Sequence, residues 1–151
     1  MPFCFAPTGF TRLMHHEGEA AVARVAGERG IPYAVSTLGT STPEAVADEV
    51  RGLPGSRLWF QLYVWRDRAA AEELMARADA AGYEALVLTV DVPVSGARLR
   101  DVRNGLSVPP ALTTKTVLDM ARHPAWWGNV LTTAPIDFAA LAGWDGTIGD
   151  K

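Results

Sequence analysis

The stretch LWFQLY at residues 58–63 is a short apolar run with one amide, Gln61, near its centre. A run of this length is too short for a stable helix and is typical of a buried strand. Similar runs begin near residues 3, 33 and 85, so successive starts are separated by 30, 25 and 27 residues. That interval suits one strand followed by one helix. The sequence therefore predicts four parallel strands, over residues 3–6, 33–36, 58–63 and 85–90.

The segments between these runs carry the signals of helices. Residues 17–28 (EGEAAVARVAGE) are rich in alanine and place apolar residues on one face, which predicts an amphipathic helix. A second helix is predicted to start where Ser41 or Thr42 can cap the free amides, with Pro43 at the first position. A third is predicted over residues 67–81. This alternation is typical of an α/β fold.

The alternation stops after the fourth run. Residues 92–151 contain one predicted helix, near Lys115 to Arg122, and a Trp126-Trp127 pair in what we interpret as a long loop or lid. A (β/α)8 TIM barrel typically needs about 250 residues. We therefore interpret the chain as a partial barrel domain, with strands one to four in residues 1–91 and the loop after strand four in residues 92–151. Because open sheet edges favour further pairing, we expect more chain or a partner to complete the sheet.

Composition excludes several classes of protein. The chain is 48% hydrophobic and 21% charged, and no run approaches a membrane-spanning helix, so disorder and a transmembrane protein are not expected. The 14 basic and 17 acidic residues give a net charge of -3 without a basic stripe, which argues against nucleic acid as a partner. The N-terminus lacks a basic segment before an apolar one, so we expect a cytoplasmic protein.

Polar residues follow or end every predicted strand. The carboxyl ends of parallel strands meet at one edge, where ligands bind in such folds. Gln61 lies between Phe60 and Leu62 and needs a hydrogen-bond partner, which is either neighbouring backbone or a ligand. The residues at this edge are Pro7, Thr8, Gly9, Ser36, Thr37, Gln61, Tyr63, Thr89 and Asp91.

Other candidate sites are weaker. His15-His16-Glu17 is not expected to bind metal, because adjacent histidines point in different directions and no further ligand has suitable spacing. Cys4 lies within a predicted strand without an activating base, which favours a small core residue over a nucleophile. The charged segment from Arg98 to Gly105 is either a solvated loop or a site for a carboxylate or phosphate.

Five stretches together resemble one family of flavoenzymes. They are Ala6-Pro7-Thr8-Gly9, Ser36-Thr37-Leu38, Gln61 to Asp67, Leu88 to Pro93 and Arg98 to Gly105. In order and spacing they are similar to the FMN-dependent α-hydroxy-acid dehydrogenases and oxidases, the group containing L-lactate dehydrogenase, glycolate oxidase and mandelate dehydrogenase. Within that family, residues 101–105 and 144–149 look most like actinobacterial lactate-dehydrogenase-like members, including pre-mycofactocin synthase.

The resemblance implies FMN as the cofactor. The turn Pro7-Thr8-Gly9 matches a segment whose backbone lies against the flavin ring. Ser36, Gln61 and Thr89 match residues that hydrogen-bond FMN. No metal is implied.

The resemblance also implies oxidation of an L-2-hydroxy acid of the lactate type to the 2-oxo acid. Tyr63 matches a phenol that contacts the substrate oxygen, and Arg98 matches an arginine near the substrate carboxylate. Asp91 matches the carboxylate that orients the catalytic histidine and stabilises its charged form. Leu38 stands where glycolate-oxidase-like members tend to carry tryptophan, which favours lactate-type or larger substrates.

The sequence departs from the family pattern at several points. The Ser-x-His-Gly-Gly-Arg-Gln motif that holds the catalytic base is absent, as are the fifth-strand lysine, the arginine pair for the FMN phosphate and an N-terminal tyrosine. We therefore expect a fragment that is inactive by itself. Two alternatives stay open: a pre-mycofactocin synthase-like enzyme that oxidises a peptide-derived amine, and a non-catalytic half-barrel remnant.

The expected partners are a small 2-hydroxy acid and, for a complete chain, further copies in a homo-oligomer. The residues do not select oxygen, a quinone or a cytochrome as the electron acceptor. A quinone acceptor would add membrane association to the expected cytoplasmic location.

Overall fold

The computed structural model describes residues 3–64, 67–90, 99–104 and 113–141. Contacts divide the chain into two compact units, Met1–Val90 with Pro135–Lys151 and Asp91–Ala134. The strands are β1 (Tyr33–Ser36), β2 (Leu58–Tyr63) and β3 (Ala85–Thr89). The helices are α1 (Thr11–Met14), α2 (Gly18–Arg29), α3 (Pro43–Glu49), α4 (Arg68–Ala80), α5 (Leu99–Asn104), α6 (Thr114–Met120) and α7 (Pro124–Thr132), and a 3-10 turn spans Ala139–Leu141.

The three strands form a parallel sheet in the order β1-β2-β3. Ser36 aligns with Gln61, and Tyr63 aligns with Thr89. The first predicted strand is reduced to one parallel bridge, in which the Phe5 amide donates to Pro32 O at 2.9 Å and the Ala34 amide donates to Phe5 O at 3.0 Å. The other three predicted strands are confirmed, with the last ending at Thr89.

The helix boundaries follow the capping signals of the sequence. Thr42 accepts from the Ala45 amide at 3.1 Å, and Pro43 occupies the first turn of α3. Asp67 caps α4 by accepting from the Ala70 amide at 3.2 Å. Gly30 follows α2 with a φ of 64°, a left-handed conformation that glycine adopts without steric cost. The three predicted helices of the first unit are confirmed.

One face of β2 forms the centre of the core. Leu58, Phe60 and Leu62 alternate along the strand and are buried. The Phe60 ring meets Tyr83 edge to face, with centroids 5.9 Å apart. Around these residues lie buried side chains of α2, α3, α4 and β1, namely Ala23, Ala26, Tyr33, Val35, Val46, Ala71, Leu74 and Ala78.

The same face of β3 is open. Leu86 aligns with Phe60 and Leu88 aligns with Leu62, yet Leu86 is 47% exposed and Leu88 57% exposed. Within the residues that the structure describes, helices cover β1 and β2 but leave these leucines in contact with solvent.

The segment predicted as a long loop contains more helix than expected. The helix predicted near Lys115 is observed as α6, whereas Trp126 and Trp127 lie in the nine-residue helix α7. Pro124 starts α7, and Gly128 within it is a weak helix former that obscures the helical pattern in the sequence.

The end of the same segment belongs to the first unit. The Phe138 ring lies 4.5 Å from the Phe10 ring, and Leu141 packs against the core. Apolar side chains thus return residues 135–141 to the sheet-bearing unit, although the sequence placed them in the loop region.

The prediction that Cys4 is a core residue was wrong. Its side chain is exposed, because the segment around it forms only a single bridge and leaves the thiol outside the core. Among the described helices, none is both long and apolar enough to cross a membrane.

A matched pair of leucine substitutions tests this asymmetric core. Leu62→Ala should lower the free energy of unfolding by about 2–5 kcal/mol, because it leaves a cavity in the core. Leu88→Ala should cost about 0.5 kcal/mol, because Leu88, the register partner of Leu62 on β3, is already half in water. Urea denaturation of both variants measures the difference. Equal costs would show that the β3 face is covered in solution.

An ion pair that joins α3 to α4 gives a pH dependence. Arg77 Nε lies 2.7 Å from Glu44 Oε1, and this hydrogen bond lowers the pKa of Glu44. The pair therefore stabilises the fold above about pH 4.3, the ordinary pKa of glutamate, and the contribution is lost as pH falls through the lowered pKa.

The variant Glu44→Gln should thus lose about 0.5 kcal/mol at neutral pH, since the pair is partly exposed. The loss should shrink towards zero in acid, as measured by denaturant titrations across pH. Glu72→Gln, at an exposed position of α4, is the control and should show no such change. A Glu44→Gln cost that stays constant to strongly acidic pH would contradict the assignment.

Candidate binding site at the carboxyl edge of the sheet

Three polar side chains form a continuous hydrogen-bonded row across the sheet. Ser36 Oγ donates to Gln61 Oε1 at 3.1 Å, and Gln61 Nε2 donates to Thr89 Oγ1 at 2.8 Å. Ser36 and Gln61 are buried, whereas Thr89 is partly exposed. The register makes this possible: Ser36 aligns with Gln61, and Thr89 lies two residues beyond Val87, the register partner of Gln61. Because side chains alternate along a strand, all three face the same side of the sheet. The row thus joins three of the residues that the sequence predicted as one site.

The row retains unused hydrogen-bonding capacity. A glutamine amide offers two donors and a threonine hydroxyl offers one. One Gln61 hydrogen goes to Thr89, and within the described ranges neither the second Gln61 hydrogen nor the Thr89 hydroxyl hydrogen meets an acceptor. Because Gln61 is only 2% exposed, an unmet donor there favours a bound acceptor group over bulk water.

Thr37 fastens the end of β1 to β2. Its hydroxyl donates to Gln61 O at 2.5 Å and accepts from the Tyr63 amide at 3.2 Å. The Thr37 amide also donates to Gln61 O at 3.0 Å. The hydroxyl therefore continues the ladder beyond the last strand pair, and it is fully buried. This contact fixes the backbone on either side of the Gln61 side chain.

The turn Pro7-Thr8-Gly9 lies against the segment after β1. Pro7 and Thr8 are exposed, while a Cβ on Gly9 would stand 3.1 Å from Leu38 Cβ and 3.2 Å from Leu38 O. The Phe10 amide donates to Leu38 O at 3.1 Å. Glycine thus suits this close approach of two loops, since any side chain would push Leu38 away by a few tenths of an ångström. The turn therefore lies next to Leu38, whose amide donates to Ser36 Oγ at 3.1 Å.

The remaining predicted residues are placed only in part. Tyr63 is half-buried at the end of β2 and aligned with Thr89. Asp91 and Arg98 lie outside the described residues. The structure therefore brings Ser36, Gln61 and Thr89 into direct contact, and it brings the Pro7-Thr8-Gly9 turn beside Leu38.

Sequence reasoning missed a buried carboxylate. Glu19 has no exposed surface and accepts hydrogen bonds from Thr40 and Ser41, which follow β1. Burial, together with the negative charge of Glu19, raises the pKa of the Tyr33 phenol. An acidic residue in the first turn of a helix ordinarily serves the helix dipole at the surface, so the sequence carries no signal that this one is buried.

The histidine pair differs from its expected geometry. The His15 and His16 rings do not diverge: their centroids lie 4.4 Å apart. Ligand atoms of His15, His16 and Glu17 lie within 4.8 Å of one another. His15 Nδ1 accepts from the Glu17 amide at 3.4 Å, which engages one possible ligand nitrogen within the chain.

The hydrogen bonds of the Thr37 hydroxyl to β2 can be tested by substitution. Thr37→Val keeps the shape of the side chain and leaves the partly buried Tyr63 amide without its acceptor, which should cost about 1–3 kcal/mol of stability. Thr8→Val, in the exposed turn, should change stability by less than about 0.5 kcal/mol. Thermal or denaturant unfolding measures both. Indistinguishable variants would mean that the Thr37 bonds are not maintained in solution.

Comparison with known proteins relates this geometry to a family. A sequence profile described as FMN-dependent dehydrogenase matches residues 1–148. A Mycobacterium tuberculosis protein provisionally named L-lactate dehydrogenase is 57% identical over 150 residues, covering 99% of this chain and 36% of that relative. An L-lactate dehydrogenase of Caulobacter vibrioides is 44% identical over 130 residues, covering 86% of this chain and 33% of that relative.

A solved structure shares the fold. The crystal structure of the monotopic membrane protein (S)-mandelate dehydrogenase superposes with a TM-score of 0.82 at 35% identity, covering 93% of this chain and 36% of that one. The solved neighbours are (β/α)8 barrels, and the three parallel strands here are part of such a barrel. The chain spans about a third of the length of the curated relatives it matches.

Proposed function

The chain belongs to the FMN-dependent dehydrogenase family, and we propose on that premise that it carries one wall of a flavin site used to oxidise a 2-hydroxy acid to the 2-oxo acid. The observation that carries the proposal is the row Ser36–Gln61–Thr89. It lies at the edge of a parallel sheet where ligands bind, and it retains two unmet donor hydrogens.

The residues present fit the edge of a flavin ring. The ring has carbonyl oxygens and nitrogens that accept hydrogen bonds, which are the groups that Gln61 and Thr89 can still satisfy. Pro7 and Thr8 are exposed, and the turn that they form with Gly9 offers a surface on which a flat ring can lie. FMN, when bound, supplies the chemistry by accepting an electron pair and thereby oxidising the substrate. The protein residues bind and orient it.

We assign the substrate-side roles to residues at or beyond the same edge. Tyr63, half-buried at the end of β2, contacts the substrate oxygen. Arg98 pairs with the substrate carboxylate, a geometry that guanidinium groups suit. Asp91 orients a histidine base and stabilises its charged form. Both Asp91 and Arg98 lie outside the described residues, so these roles rest on the family assignment.

The substrate is proposed to be a lactate-type L-2-hydroxy acid. Relatives that cover most of this chain carry the name L-lactate dehydrogenase, and a solved neighbour is named for (S)-mandelate. To become the 2-oxo acid, the substrate would lose the hydrogens of its α-carbon and its hydroxyl, which together amount to two protons and two electrons. We place the protein in the cytoplasm as a homo-oligomer, with membrane association if a quinone accepts the electrons.

We further propose that the 151 residues form part of a longer enzyme and do not turn over hydroxy acids by themselves. The sequence contains no Ser-x-His-Gly-Gly-Arg-Gln motif to supply a base. Anaerobic mixing of the 151-residue chain, FMN and L-lactate should leave the flavin absorbance unchanged. The protein at its full natural length should lose that absorbance under the same conditions. Substrate-dependent bleaching by the 151-residue chain would contradict this.

The role of the polar row is tested by Gln61→Leu in the full-length protein. Removing the amide should weaken FMN binding about tenfold, equivalent to roughly 1.4 kcal/mol, because about one or two hydrogen bonds worth roughly 1 kcal/mol each are lost. Flavin fluorescence quenching gives the dissociation constant. Leu88→Met, which pairs with Leu62 on the opposite face of β3, is the control and should bind FMN normally. An unchanged affinity in Gln61→Leu would remove Gln61 from the site.

A further inference from the structure

Glu19 lies completely buried at the start of α2, among donors from the segment after β1. Its Oε1 accepts from the Thr40 amide at 2.6 Å, and its Oε2 accepts from Thr40 Oγ1 at 2.8 Å and from Ser41 Oγ at 2.9 Å. Burying a carboxylate is costly unless it is well hydrogen-bonded. Both of its oxygens are engaged by one short segment, so the carboxylate and that segment hold each other in place.

Thr40 connects the Glu19 carboxylate to residues 6–12, the first loop and the start of α1. Its single hydroxyl hydrogen goes to Glu19, and its oxygen accepts from the Arg12 amide at 3.1 Å. A hydroxyl has one hydrogen, so a strong acceptor at Glu19 leaves the lone pairs of Thr40 available to Arg12. The carboxylate therefore fixes the direction of both hydrogen bonds, and through them it holds the start of α1.

The first loop contains a residue in a strained backbone conformation, which neighbouring contacts must stabilise. Phe10 adopts a left-handed conformation with a φ of 56°, which is uncommon for residues other than glycine. Such conformations persist where the surroundings enforce them. The Phe10 amide is held by Leu38 O, and the next residues are held by Thr40. Both acceptors belong to the segment that Glu19 binds.

The segment is packed so closely at Gly39 that it leaves no room for a side chain there. A Cβ there would stand 2.9 Å from Ser36 O and 3.2 Å from Glu19 Oε1. Glu19 is thus packed directly against the backbone that follows Ser36, the first member of the polar row. The carboxylate lies outside the row and reaches it through the backbone of the β1 segment.

We propose that Glu19 is a positioning residue for the binding edge: its carboxylate orients Thr40 and thereby holds the turn Pro7-Thr8-Gly9 against Leu38 beside the polar row. The inference rests on the proposed function, in which this turn and Ser36 face FMN. Glu19 touches neither cofactor nor substrate in this role. Its effect on FMN is transmitted through Thr40, Arg12 and Phe10.

The first experiment compares amide hydrogen exchange in Glu19→Gln and Glu17→Gln, in the protein at its full natural length. Glutamine keeps the size of Glu19 but brings a donor to Thr40, so the Phe10, Arg12 and Thr40 amides should exchange at least tenfold faster. Amides of β2 and β3 should be unchanged. Glu17→Gln makes the same chemical change at an exposed position and should leave all of these amides unaffected. A uniform acceleration in Glu19→Gln would indicate general destabilisation and overturn the proposal.

The second experiment measures FMN affinity by fluorescence quenching in the same protein. Glu19→Gln and Thr40→Val should each weaken FMN binding about tenfold. Thr40→Ser keeps the hydroxyl and should bind FMN as tightly as the unaltered protein. An unchanged FMN affinity despite faster exchange at Phe10 and Arg12 would overturn the positioning role. Failure of the unaltered protein to bind FMN would overturn the proposed function instead, while the exchange data would still decide whether Glu19 holds the turn.

Discussion

The parallel register of β1, β2 and β3 is the constraint on which the rest of the molecule depends. It aligns Ser36 with Gln61 and Tyr63 with Thr89, so residues that are 25 and 26 positions apart in the chain meet at one edge. A slip of one residue would turn every side chain of a strand to the opposite face. The same slip would expose Phe60 and Leu62 and bury Gln61 among helices. The same alignment therefore determines both the core and the polar row.

The two faces of the sheet differ in character, one carrying the core and the other the polar row. The helix-covered face is apolar and holds the core, while the polar row occupies alternate positions of the same strands. Apolar burial supplies the main driving force for folding. The polar groups add little net stability, because each exchanges water for a protein partner. What they supply is direction, since a hydrogen bond constrains geometry in a way that apolar contact does not.

Hydrogen bonds outside the row constrain the positions of the loops in the same manner. Thr37 continues the β1–β2 ladder, and Glu19 binds the segment that follows it. The flavin chemistry of this family demands a site whose parts are held in fixed relation, because the cofactor performs the redox step and the protein orients it. An edge assembled from loops gains that rigidity only through such buried anchors. The exposed leucines of β3 show where the sheet of this chain is open to further packing.

The sequence by itself determined the α/β class, three of the strands, the principal helices and their caps, and the grouping of Ser36, Gln61 and Thr89. These follow from local periodicity and from the rule that parallel strands end at one edge. Its errors have physical causes: a single bridge replaced the first strand and left Cys4 exposed, and α7 was hidden by Gly128. Only tertiary structure decided that Glu19 is buried and that Phe138 packs on Phe10. Burial and long-range contact depend on which segments meet in space, and local sequence patterns do not encode those meetings.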